Sequence, residues 1–249
     1  MAPGSGSTTF SNIQSFIFSD FGDYIVGTAG VDHYLGERGA DFLFGGQGDD
    51  YLDGGNGSDE LRSGQGDDFA EGGAGNDIIY GGMFDDLVSG GDHDDILRGG
   101  IGNDVLHGGN GDDIINGGNA LNTLYGEAGS DTFTFVNLSS RNTVMDFTVG
   151  VGGDRINLHD LLLTATNFQA GDNLTTAWNQ YFRFVDGGNS SSTLQINVDA
   201  AHAAALQVNE GWGHVADFQG AANLTIANLI QSNQLVDITA GTGYFPLPF

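Results

Sequence analysis

The chain has 249 residues, with six Arg, no Lys and 33 acidic side chains, for a formal net charge of −27. Phosphate binding needs clustered cations, so nucleic acid and an anionic membrane surface are poor partners. There is no cysteine, which excludes disulfides and thiolate metal sites, and no apolar run is long enough to span a bilayer.

Residues 1–17 are a lead-in, Gly/Ser-rich at first and then apolar through Ile13, Phe16 and Ile17. The opening MAPGSGSTTF has neither the basic n-region nor the apolar h-region of a Sec signal, and the lead-in is expected to be either an artificial start or a cut from the upstream region of a longer chain.

Residues 18–134 run as thirteen consecutive nonapeptides without insertion or deletion. The clearest copies read GGQGDDYLD from Gly45, GGAGNDIIY from Gly72, GGIGNDVLH from Gly99 and GGNGDDIIN from Gly108. The sixth place is aspartate in twelve copies: Asp23, Asp32, Asp41, Asp50, Asp59, Asp68, Asp77, Asp86, Asp95, Asp104, Asp113 and Asp131; only Asn122 departs. The eighth place is almost always apolar, from Ile25 and Tyr34 through Leu124 and Phe133. This block holds 24 of the acids against three Arg, about −21 of the total charge. Charge that only solvates needs no register, so the fixed spacing points to a specific role.

Each nonamer reads as a six-residue turn and a three-residue strand. Glycine permits the positive φ that a tight loop around an ion demands. So short a strand is stable only as one rung of a stack, in which two nonamers make an 18-residue coil. Thirteen copies give six and a half coils, roughly 30 Å tall at a rung spacing of about 4.8 Å. Odd copies then line one edge with Asp23, Asp41, Asp59, Asp77, Asp95, Asp113 and Asp131. Even copies line the other with Asp32, Asp50, Asp68, Asp86, Asp104 and Asn122. Neighbours roughly 5 Å apart repel by about 3 kcal/mol at an effective dielectric near 20. A hard cation that takes six to eight oxygens reverses the sign, which favours Ca²⁺ over the stricter Mg²⁺.

Residues 135–249 have less Gly and more Thr, Asn, Ala and Leu. Alternation predicts strands over 132–135, 143–147, 181–185 and 194–198. Short helices are expected after Asp160 as N-cap (161–163) and after Thr225, where Ile226, Leu229 and Ile230 have helical spacing. Proline occurs only at 3, 246 and 248, so nothing inside the chain forbids continuous ladders. There is no H-E-x-x-H and no G-x-S-x-G, and no two of the six His stand at i, i+4. The chain is therefore read as not an enzyme. Place 7 carries mixed residues (Tyr24, His33, Phe42, Tyr51, Glu60 and so on) rather than the flat rank of one type that an ice-binding face needs.

Residues 18–134 resemble the calcium-binding parallel β-roll of the RTX (repeats-in-toxin) family. The fold class implied is all-β, a parallel β-roll solenoid capped by a C-terminal, mainly β domain with one or two short helices. The resemblance implies that each ion lies between loops 18 residues apart. The first loop supplies main-chain oxygens at places 2 and 4, the second at places 1 and 3, and both supply their aspartate. One site then uses Gly46, Gly48 and Asp50 with Ser63, Gln65 and Asp68; another uses Gly55, Gly57 and Asp59 with Gly72, Ala74 and Asp77. The implied metal ligands are Asp32, Asp41, Asp50, Asp59, Asp68, Asp77, Asp86, Asp95, Asp104, Asp113 and Asp131, with main-chain oxygens of Gly30, Gly39, Gly46, Gly48, Gly55, Gly57, Gly64, Gly66, Gly73, Gly75, Gly100, Gly102, Gly109 and Gly111. Eleven loop pairs arise, about seven with both loops in good order. Phe21, Phe84 and His93 replace the place-4 glycine, so strained or missing metal is expected in the pairs that begin there, and the tenth copy must pair with the weaker Asn122.

Residues 135–249 resemble the C-terminal type I secretion target domain of long bacterial RTX adhesins, through TFTFVN, TVMDFTVGVGGDRINLHDLL, LQINVD and LTIANLIQSNQLV. Such a domain also caps the open end of the roll. The three parts are thus the lead-in at 1–17, the roll at 18–134 and the cap and target domain at 135–249. The expected function is a calcium-binding secretion and folding module at the end of a secreted RTX adhesin, passed unfolded through a type I exporter and folded by Ca²⁺ outside the cell. The expected partners are that exporter and the upstream domains, and the expected state is a monomer, secreted or at the bacterial surface. The alternative is the C-terminal RTX region of a secreted protease or lipase whose catalytic domain lies upstream.

Overall fold

The computed structural model describes residues 16–17, 20–137, 140–158, 161, 182–188, 190–198, 211–221, 224–231 and 234–235. Strand follows strand at the repeat period: β1 (Phe16–Ile17), β2 (Tyr24–Val26), β3 (His33–Leu35), β4 (Phe42–Gln47), β5 (Tyr51–Asn56), β6 (Glu60–Gln65), β7 (Phe69–Ala74), β8 (Ile78–Met83), β9 (Leu87–Asp92), β10 (Ile96–Ile101), β11 (Val105–Asn110), β12 (Ile114–Asn119), β13 (Leu121–Ala128) and β14 (Thr132–Thr134). Each pairs in parallel with the strand one coil away, as in Leu43↔Leu61 and Leu61↔Ile79. Even-numbered strands build one sheet, from β2 at one end through β14, and odd-numbered strands build the facing one. The architecture is an all-β parallel solenoid with one short helix among the described residues.

The period of two within each strand sets the core. Place 8 points inward and places 7 and 9 outward, so the stack buries one rank of side chains between its sheets. Ile25 and Tyr34 are 4% exposed, and every place-8 residue from Leu43 to Phe133 is fully buried.

The strands are longer than the sequence suggests. From β4 to β12 each has six residues, because the ladder continues through the two glycines and place 3, with Gly46↔Gly64 and Gln47↔Gln65 in register. Only three residues, such as Gly48-Asp49-Asp50, make the turn. Gly46, at φ +115°, lets the strand bend while its ladder persists. Side chains at places 2 and 4 accept the same left-handed backbone: Glu37 (+70°), Phe84 (+82°), His93 (+81°), Ala120 (+70°) and Glu127 (+68°). Phe84 and His93 thus keep the left-handed backbone of the glycine they replace, Phe21 does not, and the register survives in all three copies.

The parallel ladder runs on past Thr134. β15 (Arg141–Val144) pairs with β13, and β16 (Arg155–Asn157) pairs with β14. β19 (Gly211–Phe218) then adds in parallel to β15, and β18 (Ser191–Val198) and β17 (Phe182–Gly188) follow as an antiparallel extension of the same sheet. The strand expected over 143–147 thus ends at Val144, and Tyr181 lies outside the described residues. Helix α1 (Ile226–Gln231) starts where Thr225 predicts it. Thr225 Oγ1 accepts the Asn228 N–H at 3.2 Å, and Asn228 Oδ1 accepts the Thr225 N–H at 2.9 Å, a reciprocal cap. The helix expected after Asp160 and the tail 243–249 lie outside the described residues, Leu161 apart. The cap closes the roll with aromatic rings: Phe147 lies 6.1 Å from Phe133 and 5.1 Å from Phe218, ring centre to ring centre. No described helix is long and apolar enough to cross a membrane.

Candidate metal centre

The place-6 aspartates end each three-residue turn, where it gives way to strand, and the 18-residue coil stacks them. From Asp32 to Asp131 each is 4% exposed or less, and Asn122 is 2% exposed. One oxygen of each has a fixed task. Oδ1 accepts the main-chain N–H of the column member one coil back: Asp32 to Asp50 at 2.8 Å, Asp50 to Asp68 at 2.7 Å, Asp95 to Asp113 at 2.8 Å, Asp113 to Asp131 at 3.0 Å. The sequence arithmetic placed the columns; the hydrogen bonds show what orients their side chains.

The other oxygen has no such task. Oδ2 of Asp41, Asp50, Asp59, Asp68, Asp77, Asp86, Asp95, Asp104, Asp113 and Asp131 is buried without a hydrogen-bond partner among the described residues. Asp32 differs, since its Oδ2 accepts the Thr28 N–H at 2.7 Å. A buried acceptor left unmatched costs about 1–3 kcal/mol, and more when charged. Ten of them in two columns describe a surface built for something that donates positive charge.

The space beside Oδ2 has a defined shape. A Cβ placed on Gly45 meets Asp50 Oδ2 at 2.5 Å and Ser63 O at 2.6 Å, and one on Gly54 meets Asp59 Oδ2 at 2.6 Å and Gly72 O at 2.7 Å. Gly72 and Gly81 repeat the arrangement, with Asp77 and Gly90 O, and with Asp86 and Gly99 O. The structure thus brings together Asp41, Asp50, Asp59, Asp77, Asp86, Asp95, Asp104 and Asp113 with the place-1 carbonyl of the loop one coil on, and glycine at place 1 keeps the cradle open. Ser63 alone breaks that rule in the described copies; its hydroxyl is buried and unpartnered. The carbonyls at places 2 and 3 are differently engaged. Gln65 O accepts the Gly48 N–H at 2.7 Å and Ala74 O the Gly57 N–H at 2.8 Å, which leaves each of these two one further lone pair, whereas Glu37 O accepts both the Asn56 N–H at 2.8 Å and Asn56 Nδ2 at 3.4 Å. No three His, Asp or Glu side chains converge among the described residues. Carboxylates supplemented by main-chain oxygens form a hard, all-oxygen donor set, which fits Ca²⁺.

Burial dominates the electrostatics. It pushes Asp86 and Asp95 up to about 8, Asp50, Asp104 and Asp131 to about 7, and Asp41, Asp68, Asp77 and Asp113 to about 6. The main-chain N–H on Oδ1 opposes the shift, and neighbouring carboxylates add to it: Asp104 and Asp68 act on Asp86, and Asp77 and Asp113 on Asp95. Asp59 is raised for the same first reason.

The structure also extends both columns beyond the repeats. Asp131 donates its N–H to Asp154 Oδ1 at 3.0 Å, so Asp154 is the next odd member after a gap of 23 residues rather than 18. Asn142 follows Asn122 in the even column, bonded to it at 3.1 Å. A faint signal was available: Asp154-Arg-Ile-Asn157 and Asn142-Thr-Val144 keep places 6 to 8 of the nonapeptide, without its loop length. Asp146 serves the last loop differently, accepting the N–H groups of Gly126 at 3.0 Å and Glu127 at 2.9 Å.

A parallel solenoid with two buried aspartate columns defines the class of protein. The chain carries RTX calcium-binding nonapeptide repeats: the family model for them matches in four copies, at residues 26–61, 53–88, 89–121 and 121–135. Among solved structures the chain is similar to the solution structure of the AlgE6R3 subunit from the Azotobacter vinelandii mannuronan C5-epimerase. The identity is 19% over 99% of this chain and 91% of that one, with a TM-score of 0.25. No curated protein gives a significant match.

Proposed function

We propose that the chain is the calcium-triggered folding and secretion module of a secreted bacterial RTX protein, at the C-terminal end of an adhesin. The observation that carries the calcium part is the set of ten buried Oδ2 atoms without a partner, eight of them beside a glycine cradle shared with a main-chain oxygen. Without a cation the columns oppose folding, because every ionised carboxylate is desolvated and stands next to another. With Ca²⁺ bound, that desolvated charge is neutralised, and ligand binding and folding become one event. The carboxylates and carbonyls hold the ion; the N–H on each Oδ1 keeps the side chain aimed at it. A chain that stays unfolded at low cytosolic calcium is in the state a type I exporter passes, and millimolar calcium outside folds it. The adhesin assignment and the export role of residues 135–249 rest on the resemblance of that segment's motifs to target domains.

The deciding measurement is far-UV circular dichroism of the whole chain in EDTA and through a calcium titration. A cooperative gain of β signal is expected, and a fully formed roll in EDTA would sink the proposal. For export, residues 135–249 fused behind a slow-folding passenger should suffice for passage through a type I exporter, and normal export of a chain lacking its last few dozen residues would contradict it.

A further inference from the structure

Every column aspartate from Asp41 to Asp131 keeps one buried oxygen unmatched, and at the C-terminal end of both columns this stops. In the odd column, Asp154 Oδ2 accepts the Thr148 N–H at 2.7 Å. The carbonyls of that turn are met by Gln234, which is 1% exposed. Its Nε2 donates to Thr148 O at 2.7 Å and to Asp154 O at 2.7 Å, and its Oε1 accepts the Gly150 N–H at 2.9 Å. The Gly150 N–H can only donate, which fixes the orientation of the amide. In the even column, Asn122 Oδ1 accepts the Asp104 N–H at 3.0 Å, as an aspartate there would. Asn122 Nδ2 then donates to Asn119 O at 3.2 Å and to Asn142 Oδ1 at 3.1 Å, and Asn142 Nδ2 donates to Ser140 Oγ at 3.0 Å. No buried side-chain atom of Asn122, Asn142, Asp154 or Gln234 lacks a partner.

We propose that these carboxamides stand in for the cation at the end of the two columns, and that Gln234 is the positioning residue that closes the 148–154 turn without metal. The inference rests on the calcium reading above. An amide NH₂ offers two donors and a partial positive charge to oxygens that carry no neutralising ion, and it is tethered, so its binding does not depend on calcium concentration. The surroundings suit a metal-free end. Phe133, Phe135, Phe147 and Phe218 supply an aromatic core where each rung of the roll has a single buried hydrophobic side chain, most often aliphatic. Ile156 is held from the same place, its N–H donating to Gln234 O at 2.8 Å. Ser130 Oγ, in the last repeat loop, donates to Gly153 O at 2.8 Å, so the turn clamps the loop that carries Asp131. The last loop is thereby tied to the turn, with Asp131 in place, before any ion arrives.

The test is amide hydrogen exchange on the full chain in EDTA and in millimolar Ca²⁺. Gly150, Asp154 and Ile156, whose N–H groups bond to Gln234 Oε1, Thr148 O and Gln234 O, should be protected in both conditions. Ile78 and Ile96, bonded to Asp59 O and Asp77 O, should be protected only with calcium. Cap amides that exchange freely in EDTA and gain protection only with calcium would overturn the proposal. Gln234→Glu puts a carboxylate where two carbonyls need a donor. Protection of Asp154 should fall by about tenfold or more in EDTA, and calcium should restore it. Gln234→Leu should lose it in both conditions. A Gln234→Glu chain that matches the parent in EDTA, or that calcium rescues no better than Gln234→Leu, also refutes the idea. Repeats protected in EDTA would sink the calcium reading instead, while the Gln234 comparison still decides this one.

Discussion

Acid should stabilise the roll without calcium and weaken it with calcium. Consider Asp86, whose carboxyl burial pushes up from about 3.8 to about 8. The unfolded chain releases that proton near pH 4 and the metal-free fold holds it until pH 8. Its contribution to stability is therefore fully present below the unfolded value and is lost as pH rises through the folded one. Between pH 5 and pH 8 the loss is on the order of 4 kcal/mol for this one carboxyl, at about 1.4 kcal/mol per pH unit. Asp95 behaves alike, and Asp50, Asp104 and Asp131, raised to about 7, lose on the order of two-thirds as much. Coupling along each column makes the sum less than the parts, yet a net effect of several kcal/mol remains. In EDTA, then, far-UV circular dichroism should show more β structure, or a higher melting temperature, at pH 5 than at pH 8. In saturating calcium the sign reverses, because protons compete with the ion for the same oxygens, and the calcium midpoint should rise as pH falls. Asp86→Asn with Asp95→Asn should flatten the EDTA profile, which separates the column from relief of the overall −27 charge. The same direction of pH dependence with and without calcium would refute the assignment of the buried carboxylates as its ligands.

Further outcomes test other parts of the reading. Asp68→Ala removes a carboxylate shared by the 50/68 and 68/86 pairs, whereas Asp131→Ala touches one pair within the repeats; the calcium midpoint should shift several-fold further for the first, and equal midpoints would argue against sharing. Phe84→Gly and His93→Gly relieve a left-handed backbone at exposed side chains and should each stabilise the calcium-loaded roll by about 1 kcal/mol in denaturant melts; a loss of stability would show that those side chains earn their place. Removing residues after 134 uncovers Phe133 and Leu124, both fully buried, so exchange protection should fall first in the last coils and least in the coils around Leu61.

The roll was legible because it is a translation. Each rung meets only the rungs 18 residues away, so one nonapeptide states the contact of every copy, and a period of two within the strand assigns place 8 to the core and place 6 to the edge. Leu43, Leu61 and Ile79 could be stacked from the sequence alone, and so could Asp50, Asp68 and Asp86. Even the start of α1 was local, since Thr225 and Asn228 cap one another over three residues. What lay beyond the sequence is what breaks the translation. The Gly-Gly pair looked like turn, and only the ladder at Gly46↔Gly64 makes it strand. Asp154 and Asn142 rejoin the columns at gaps of 23 and 20 residues, which no period announces. Gln234 reaches the turn it closes from 80 to 86 residues away along the chain, and its place is set by the cap's packing and by oxygens that must find a donor once buried. A repeating sequence encodes its own neighbours; where the repeat ends, the unmatched groups of the last rung decide what may cover them, and that is a property of the folded chain.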